Sequence, residues 1–497
     1  MSETSNDVPR HPRLLDLNHI KSYAIMVVGV GIVVSIYYLF TGFGPISGPP
    51  GRDFGGPRPG PGPFLQPGGA LFGFNLWPLW GSLVTPSLTQ ISFGLVLLAG
   101  FGTVAYGLRR NNSNLPRLPL LVLLGVVFMI GTNLIQGWNS IVSSIGGSSE
   151  LLADAVRILN PIQFIASFNS IQGTLSVHAV TQPPGAVLTM YVFYLLFESP
   201  GAIAIGLSVI CSVASVFFVR GIYRRLLDPE ASRYGSFLYL LLPAVQVYYL
   251  ANIYAVVATL VAGTVYFYLQ PGVKARLVGC IVCLFLGTFI SFLFAYVVLL
   301  LLVFEMLQTG FGLSEGVVAW LRRTLFSLRY LAVVCAVVGL AYVFLLVSLG
   351  FNYVQAFLYA TASENPGGAM ILSNFGQYVV TRAEDILDIV VFLGPVLTVL
   401  AYRGAKILRA DLSKDPASKK QYSLFLSSLV ALLLLFLTGA PKKGETARIC
   451  MFVLPFVLIP VLVYMDRSGM GRREKITLLV LVFVQVVIMQ LFGTYIW

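Results

Sequence analysis

Charge is what this sequence has least of. Asp, Glu, Lys and Arg make up 10% of its 497 residues, against about 25% in soluble domains. A chain that is 57% hydrophobic has too little polar surface to clothe a water-soluble fold. Lipid must be its solvent, and in lipid only helices or closed barrels satisfy their own backbone groups. The apolar runs are long and continuous, without the alternation of barrel strands, and this selects helices. Histidine is scarce too: there are three, and His178 is the only one beyond the N-terminal tail. Of the five cysteines, Cys211, Cys280, Cys283, Cys335 and Cys450, all lie in or beside apolar runs. Cys280 and Cys283 form a CxxC with no second pair or histidine nearby. They read as small buried hydrophobes, and no disulfide framework is expected.

The few charges are unequal in sign, giving a net +12. In a soluble protein this would suggest nucleic acid. In a membrane chain it reflects basic loops kept on the cytoplasmic side and drawn to anionic headgroups. Membrane lipid is therefore an expected partner and nucleic acid is not. The first 22 residues are polar, where a signal peptide would carry its apolar stretch. No run reads as a soluble domain. No inverted repeat is visible, which weakens a transporter reading without excluding it.

What is present is a series of apolar runs. They predict an all-α fold, a polytopic transmembrane helix bundle of roughly 10–13 membrane helices with external interfacial loops. Residues 1–22, with Arg10, Arg13 and Lys21, read as a cytoplasmic tail. Residues 23–497 read as a single polytopic membrane domain, with external loops at 43–87, 137–183 and 350–384. The first span is expected at 23–42. It is followed by a Gly/Pro-rich segment at 44–70 that cannot be a spanning helix. Arg109 and Arg110, Arg322 and Arg323, Arg403 to Lys420, and Arg467 to Lys475 mark inner loops. One conflict stands. Arg220, Arg224 and Arg225 belong inside, yet they fall outside if the runs 184–198 and 202–221 both cross fully. Either a helix between 184 and 270 is a half-span or the charge rule fails locally.

The chemistry concentrates in residues 150–190. Glu150 and Asp154 are four apart and would share one face of a helix. Arg157, three beyond Asp154, would pair with it. A salt bridge on an interfacial helix accounts for these residues as well as a carboxylate site does. Such carboxylates could act as general base or metal ligand. Next come His178 and Thr181-Gln182-Pro183-Pro184-Gly185. Pro184 suits the first turn of a helix, and a plain helix start explains the motif structurally. Further on, Glu445 and Arg448 sit three apart before an apolar run, where they would pair if nothing else used them. Tyr248, Tyr249, Asn252 and Tyr254 fall in a break between two helices, and aromatics at a membrane interface are the default reading there. A polar stretch at 350–384 carries Asn352, Tyr353, Glu364, Arg382 and Glu384, with Asp385 and Asp388 beyond it. Amide and aromatic groups there suit a sugar. A solvated loop with an acidic helix cap explains them equally well.

The order of these residues resembles the GT-C superfamily of polytopic membrane glycosyltransferases, including the dolichyl-phosphate-mannose-dependent protein mannosyltransferases and their archaeal and actinobacterial relatives. Members place an acidic residue in the first large external loop and open the next membrane helix with Thr-His-Pro-Pro-Gly. Here Glu150, Asp154-Ala155, His178 and Thr181-Gln182-Pro183-Pro184-Gly185 follow that order. Gln182 stands where the family's His is usual, Leu151 and Leu152 replace aromatics, and Trp138-Asn139-Ser140 lacks an Asp-x-Asp. Gly444-Glu445-Thr446-Ala447-Arg448 is similar to a Gly-Glu-x-x-Arg stretch before a late helix. The resemblance implies transfer of a sugar from a polyprenyl-phosphate carrier to a glycan, lipid or protein acceptor on the external face. It implies catalytic roles for Glu150 and Asp154, and substrate-binding roles for His178, Gln182, Arg448 and Glu445. Of the two carboxylates Glu150 is the better base, since no cation lies three or four residues from it. No metal ligand is assigned, and a divalent cation is left open as cofactor.

Two other readings stand beside the enzyme. A transporter or lipid flippase would carry intramembrane charges along a central path, and few are visible; Glu305 lies near a span end. A catalytically inactive GT-C-like protein would explain Gln182 and the missing Asp-x-Asp. The topology is testable by itself, with the N-terminus cytoplasmic, Trp497 external and the protein in the cell membrane. Cysteines introduced at positions 60 and 370 should label from outside intact cells, and one at position 415 should not. Labelling at 415 would overturn this topology.

Overall fold

The computed structural model describes residues 21–22, 81–83, 85–110, 115–310, 317–365, 368, 370–373, 375–439 and 445–495. The expected tail (apart from Lys21 and Ser22), the span at 23–42, the segment 44–70, Gly444 and Trp497 lie outside the described residues.

The fold is all-α, a polytopic helical bundle. Its strands among the described residues are a three-residue antiparallel pair, Gly81–Leu83 against Gly493–Tyr495. Among the described residues, seven helices are long and apolar enough to cross a membrane: Leu88–Arg110, Pro200–Tyr223, Val273–Ile290, Arg329–Leu349, Pro416–Thr438, Thr446–Arg467 and Arg472–Phe492. The protein is thus a multi-pass membrane protein. Two further apolar stretches are sharply bent, Leu118–Leu134 with Trp138–Gly146 by 95°, and Thr381–Leu393 with Pro395–Ala410 by 98°. Local sequence explains both bends. Gly137 and Gly394 take φ of 90° and 102°, a region that only glycine enters freely. Pro395 then starts the second helix at a position where its missing N–H costs nothing.

Helix starts repeat one device. Asn160-Pro161, Ser199-Pro200, Asp228-Pro229 and Asp415-Pro416 each put a side-chain acceptor at the N-cap and a proline at the next position. All four caps accept from first-turn amides. Such caps are worth about 1 kcal/mol each, and in lipid an orphaned donor costs more.

The helix Thr446–Arg467 is the axis of the bundle, buried along nearly its whole length. The helices Pro395–Ala410 and Pro416–Thr438 pack on it. Arg329–Leu349, by contrast, is mostly exposed, and Leu340, Val343, Phe344 and Val347 face outward. In lipid such a face needs no partner.

The axial helix also separates two chemistries. Its 22 residues span about 33 Å at 1.5 Å per residue. Arg448 lies near its start and Arg467 at its end. Arg467 shares a 250 Å³ cavity with Arg224, Arg225 and Asp415. Arg224 and Arg225 therefore lie at the same end as the basic loop residue Arg467, as the charge rule requires. Pro184–Phe197 has 14 residues, about 21 Å, too short for a hydrocarbon core of about 30 Å. Ile253–Tyr268, with 16 residues, is the other short apolar helix described between 184 and 270.

Close packing depends on glycine at one crossing. A Cβ on Gly404 would lie 1.8 Å from the Pro460 carbonyl oxygen, whereas one on Gly102 meets nothing within 4 Å. Backbone cannot move aside cheaply, and overpacking costs about 1–3 kcal/mol. Gly404→Ala should lower the thermal midpoint in detergent, with Gly102→Ala unchanged or slightly more stable. Equal midpoints for the two variants would mean that the crossing is looser than described.

Candidate functional site

Five chain segments meet at the end of the bundle opposite the basic cavity. The first holds Glu150. It is not on the helix face that spacing suggested. It occupies the N-cap position of the short helix Leu151–Ala155, with φ −87° and ψ 159°. Extended backbone there turns its side chain away from that of Asp154, so the two carboxylates part company. Asp154 is 6% exposed, and its Oδ2 accepts the Ser176 amide at 2.8 Å. Arg157 is exposed and does not take up the pairing expected with Asp154. Asp154 thus ties the Glu150 segment to the one carrying His178. The Ser149 carbonyl, accepting the His178 amide at 3.4 Å, adds to this tie.

His178 lies on the short helix Val177–Val180. Its Nε2 is 3.5 Å from Glu150 Oε1. A carboxylate that close would ordinarily favour imidazolium, but here burial wins. Desolvation, helped by the Arg448 charge, pulls the His178 pKa down to about 4. Burial pushes the Glu150 carboxyl up from 4.5 to about 7, against the pull of Arg448. At neutral pH, then, a neutral imidazole faces a carboxyl group near its midpoint, and the contact is not an ion pair.

Gln182 precedes Pro183 and Pro184, and Pro184 opens the next helix as the motif suggested. A Cβ on Gly185 would lie 2.2 Å from the Phe289 carbonyl oxygen, so glycine lets that helix start lie against its neighbour. Gln182 Nε2 donates to the Tyr254 hydroxyl at 3.2 Å. Tyr254 sits at the start of the helix Ile253–Tyr268, whose cap is Asn252 accepting the Tyr254 amide at 2.8 Å. The ring of Tyr254 faces the Arg448 guanidinium at 5.7 Å. Arg448 is 5% exposed and pairs with Glu445 at 3.2 Å. The side chains of Glu150 and His178 are 16% and 29% exposed, so the site runs from a partly open carboxyl–imidazole mouth to a deep guanidinium.

The polar stretches at 137–183 and 350–384 are joined by hydrogen bonds. Asn169 and Asn352 exchange two hydrogen bonds, at 2.9 and 2.8 Å. Buried Gln172 donates to the Val180 and Ala356 carbonyls. The stretch read as a polar loop contains the helix Tyr353–Glu364.

The structure therefore brings together Glu150, His178, Gln182, Glu445 and Arg448, and sets Asp154 apart as a brace. Tyr254 was missed as a site residue. Its signal, an Asn two residues before a Tyr at a helix start, was visible but matched the ordinary interface pattern. Among the described residues, no three His, Cys, Asp or Glu side chains gather as a metal site.

No family model and no curated protein matches the chain. Among solved structures, the crystal structure of ArnT from Cupriavidus metallidurans in the apo state is similar at 16% identity and a TM-score of 0.38. That match covers 62% of this chain and 55% of the other. A likeness at this level carries no argument about chemistry, which rests on the residues themselves.

The Glu150 shift has a consequence for stability. Its folded-state pKa lies above its ordinary value, so protonation favours the fold. That contribution is full below pH 4.5 and is lost as pH rises to about 7. The size is on the order of 3 kcal/mol. Glu150→Gln should therefore gain stability over the parent across this window and hold the gain above it. Parallel pH–stability curves would mean that Glu150 is not desolvated.

Proposed function

We propose that the protein is an integral membrane glycosyltransferase of GT-C type, moving a sugar from a polyprenyl-phosphate carrier to an acceptor on the external face. One observation carries the reading. A carboxyl group poised near neutrality, a neutral imidazole and a buried guanidinium converge from three separate segments. They do so at the end of the bundle away from the basic residues.

The chemistry needs each of them. The acceptor hydroxyl gives its proton to the Glu150 carboxylate while its oxygen attacks the sugar's anomeric carbon. The bond from that carbon to the phosphate oxygen breaks, and its electron pair leaves with the lipid phosphate. Arg448 stabilises that developing charge, and in a site with little water such stabilisation is large. Arg448 suits a phosphate because its planar fork can bind two oxygens at once. Glu445 holds the guanidinium in place. Neutral His178 accepts or donates a hydrogen bond beside the base without competing for the proton. Gln182, tethered by Tyr254, offers an amide where a sugar hydroxyl would lie. It cannot carry a proton, so proton transfer falls to Glu150. Asp154 is structural.

The transporter reading would draw on the buried Arg382, Asp385 and Asp388 in a bent apolar stretch. Those groups make contacts to protein, which suits a fixed scaffold better than a path.

Tests use polyprenyl-phosphate hexoses and pentoses as donors. Glu150→Gln should insert and bind donor yet transfer roughly a hundredfold or more slowly. The parent rate should rise with pH through about 7, where the base ionises. Arg448→Lys should weaken donor binding and Arg448→Ala should weaken it further. Full transfer by Glu150→Gln with Asp154→Asn inactive would exchange the roles of the two carboxylates. Full activity in both would move the chemistry elsewhere, and unchanged affinity in both Arg448 variants would remove Arg448 from the site.

A further inference from the structure

The proposed transfer leaves one buried ionic face unused. On the helix Phe375–Leu393, Arg382, Asp385 and Asp388 recur every three residues and share a side. They are 9%, 0% and 0% exposed. Carboxylates in an apolar helix are costly unless paired or used.

Both aspartates reach the same place, the first turn of the helix that carries Arg448. Asp385 accepts from the Thr446 hydroxyl and pairs with Arg382 at 3.0 Å. Arg382 also donates to the Phe436 carbonyl at 3.1 Å. Asp388 Oδ2 accepts the Ala447 amide at 2.7 Å. First-turn amides are the orphan donors of a helix, and a carboxylate beside them is favoured by the helix dipole. Among the described residues, this helix start has no side-chain cap from its own N-cap position. Glu445 holds the N-cap position but makes no cap hydrogen bond, since its carboxylate turns to Arg448. Asp388 supplies the missing cap from another helix. It grips the residue immediately before Arg448.

We infer that Asp388, supported by Asp385, is a positioning residue: it docks the Thr446–Ala447 turn so that the Arg448 guanidinium lies fixed in the site. This rests on the reading of Arg448 as the phosphate-binding group. Two features separate the role from simple stabilisation. Its effect must pass through Arg448, and an acceptor oxygen alone should restore much of it.

The test measures binding of a polyprenyl phosphate without sugar to the full-length protein in nanodiscs, together with hydrogen exchange of a peptide spanning 445–450. Asp388→Ala should speed exchange in that peptide and weaken binding about tenfold. Asp388→Asn keeps an oxygen for the Ala447 amide and should weaken binding only a few-fold. The double variant Asp388→Ala with Arg448→Ala should bind no worse than Arg448→Ala alone, since neighbours acting as one unit are not additive. Additive losses would overturn the inference while leaving the phosphate reading intact. So would unchanged binding by Asp388→Ala while Arg448→Ala binds poorly. Parent-like binding by Arg448→Ala would overturn the phosphate reading, and this inference with it.

Discussion

A guanidinium buried at the end of an apolar helix is the constraint around which this end of the molecule is arranged. Arg448 cannot lose its proton, and in a medium of low polarity its charge must be answered by neighbours. Glu445 answers it directly. The ring of Tyr254 faces it. Glu150 feels it, together with its own desolvation. Remove that charge and the carboxyl would rise further, the imidazole would be less strongly held neutral, and the site would lose its only deep cation among the described residues.

The same charge accounts for the braces behind the site. A charged side chain is held to a narrow geometry only if the backbone that bears it is held too. Asp388 and Asp385 hold the turn before Arg448. Asp154, through the Ser176 amide, holds the loop that faces it. Gln172 and the Asn169–Asn352 exchange tie that loop to the second polar stretch. Each places at least one polar atom in a hydrogen bond in a dry region, where an unmade hydrogen bond is expensive. Rigidity in the surroundings is what lets two strongly shifted groups, Glu150 and His178, stay poised.

Much of this was legible in the sequence. Composition pointed to lipid, and the long continuous apolar runs then selected helices over a closed barrel. The motif around Pro184 started a helix as its proline demanded, and Gly185 lies at a close helix contact. The Glu445–Arg448 spacing gave its ion pair. What was not legible depended on distance in the chain. Glu150 and Asp154 looked like one face, yet a single extended residue at the helix start parted them. Asp385 and Asp388 read as members of a polar stretch and a helix cap. They are a cap, but for a helix some sixty residues on, and no local pattern records that. Tyr254 looked like an interface aromatic until the fold set Gln182 and Arg448 beside it. Arg224 and Arg225 share a cavity with Arg467, a proximity that no local pattern records.

The central claim is that the carrier phosphate lies at Arg448, with the sugar between it and Glu150. A structure determined by electron microscopy with a polyprenyl phosphate bound in a nanodisc tests it most directly. The account predicts phosphate density within hydrogen-bonding distance of the Arg448 guanidinium, with the space beside it opening toward Glu150 and His178. Phosphate density at the opposite end, among Arg224, Arg225 and Arg467, with none at Arg448, would contradict it.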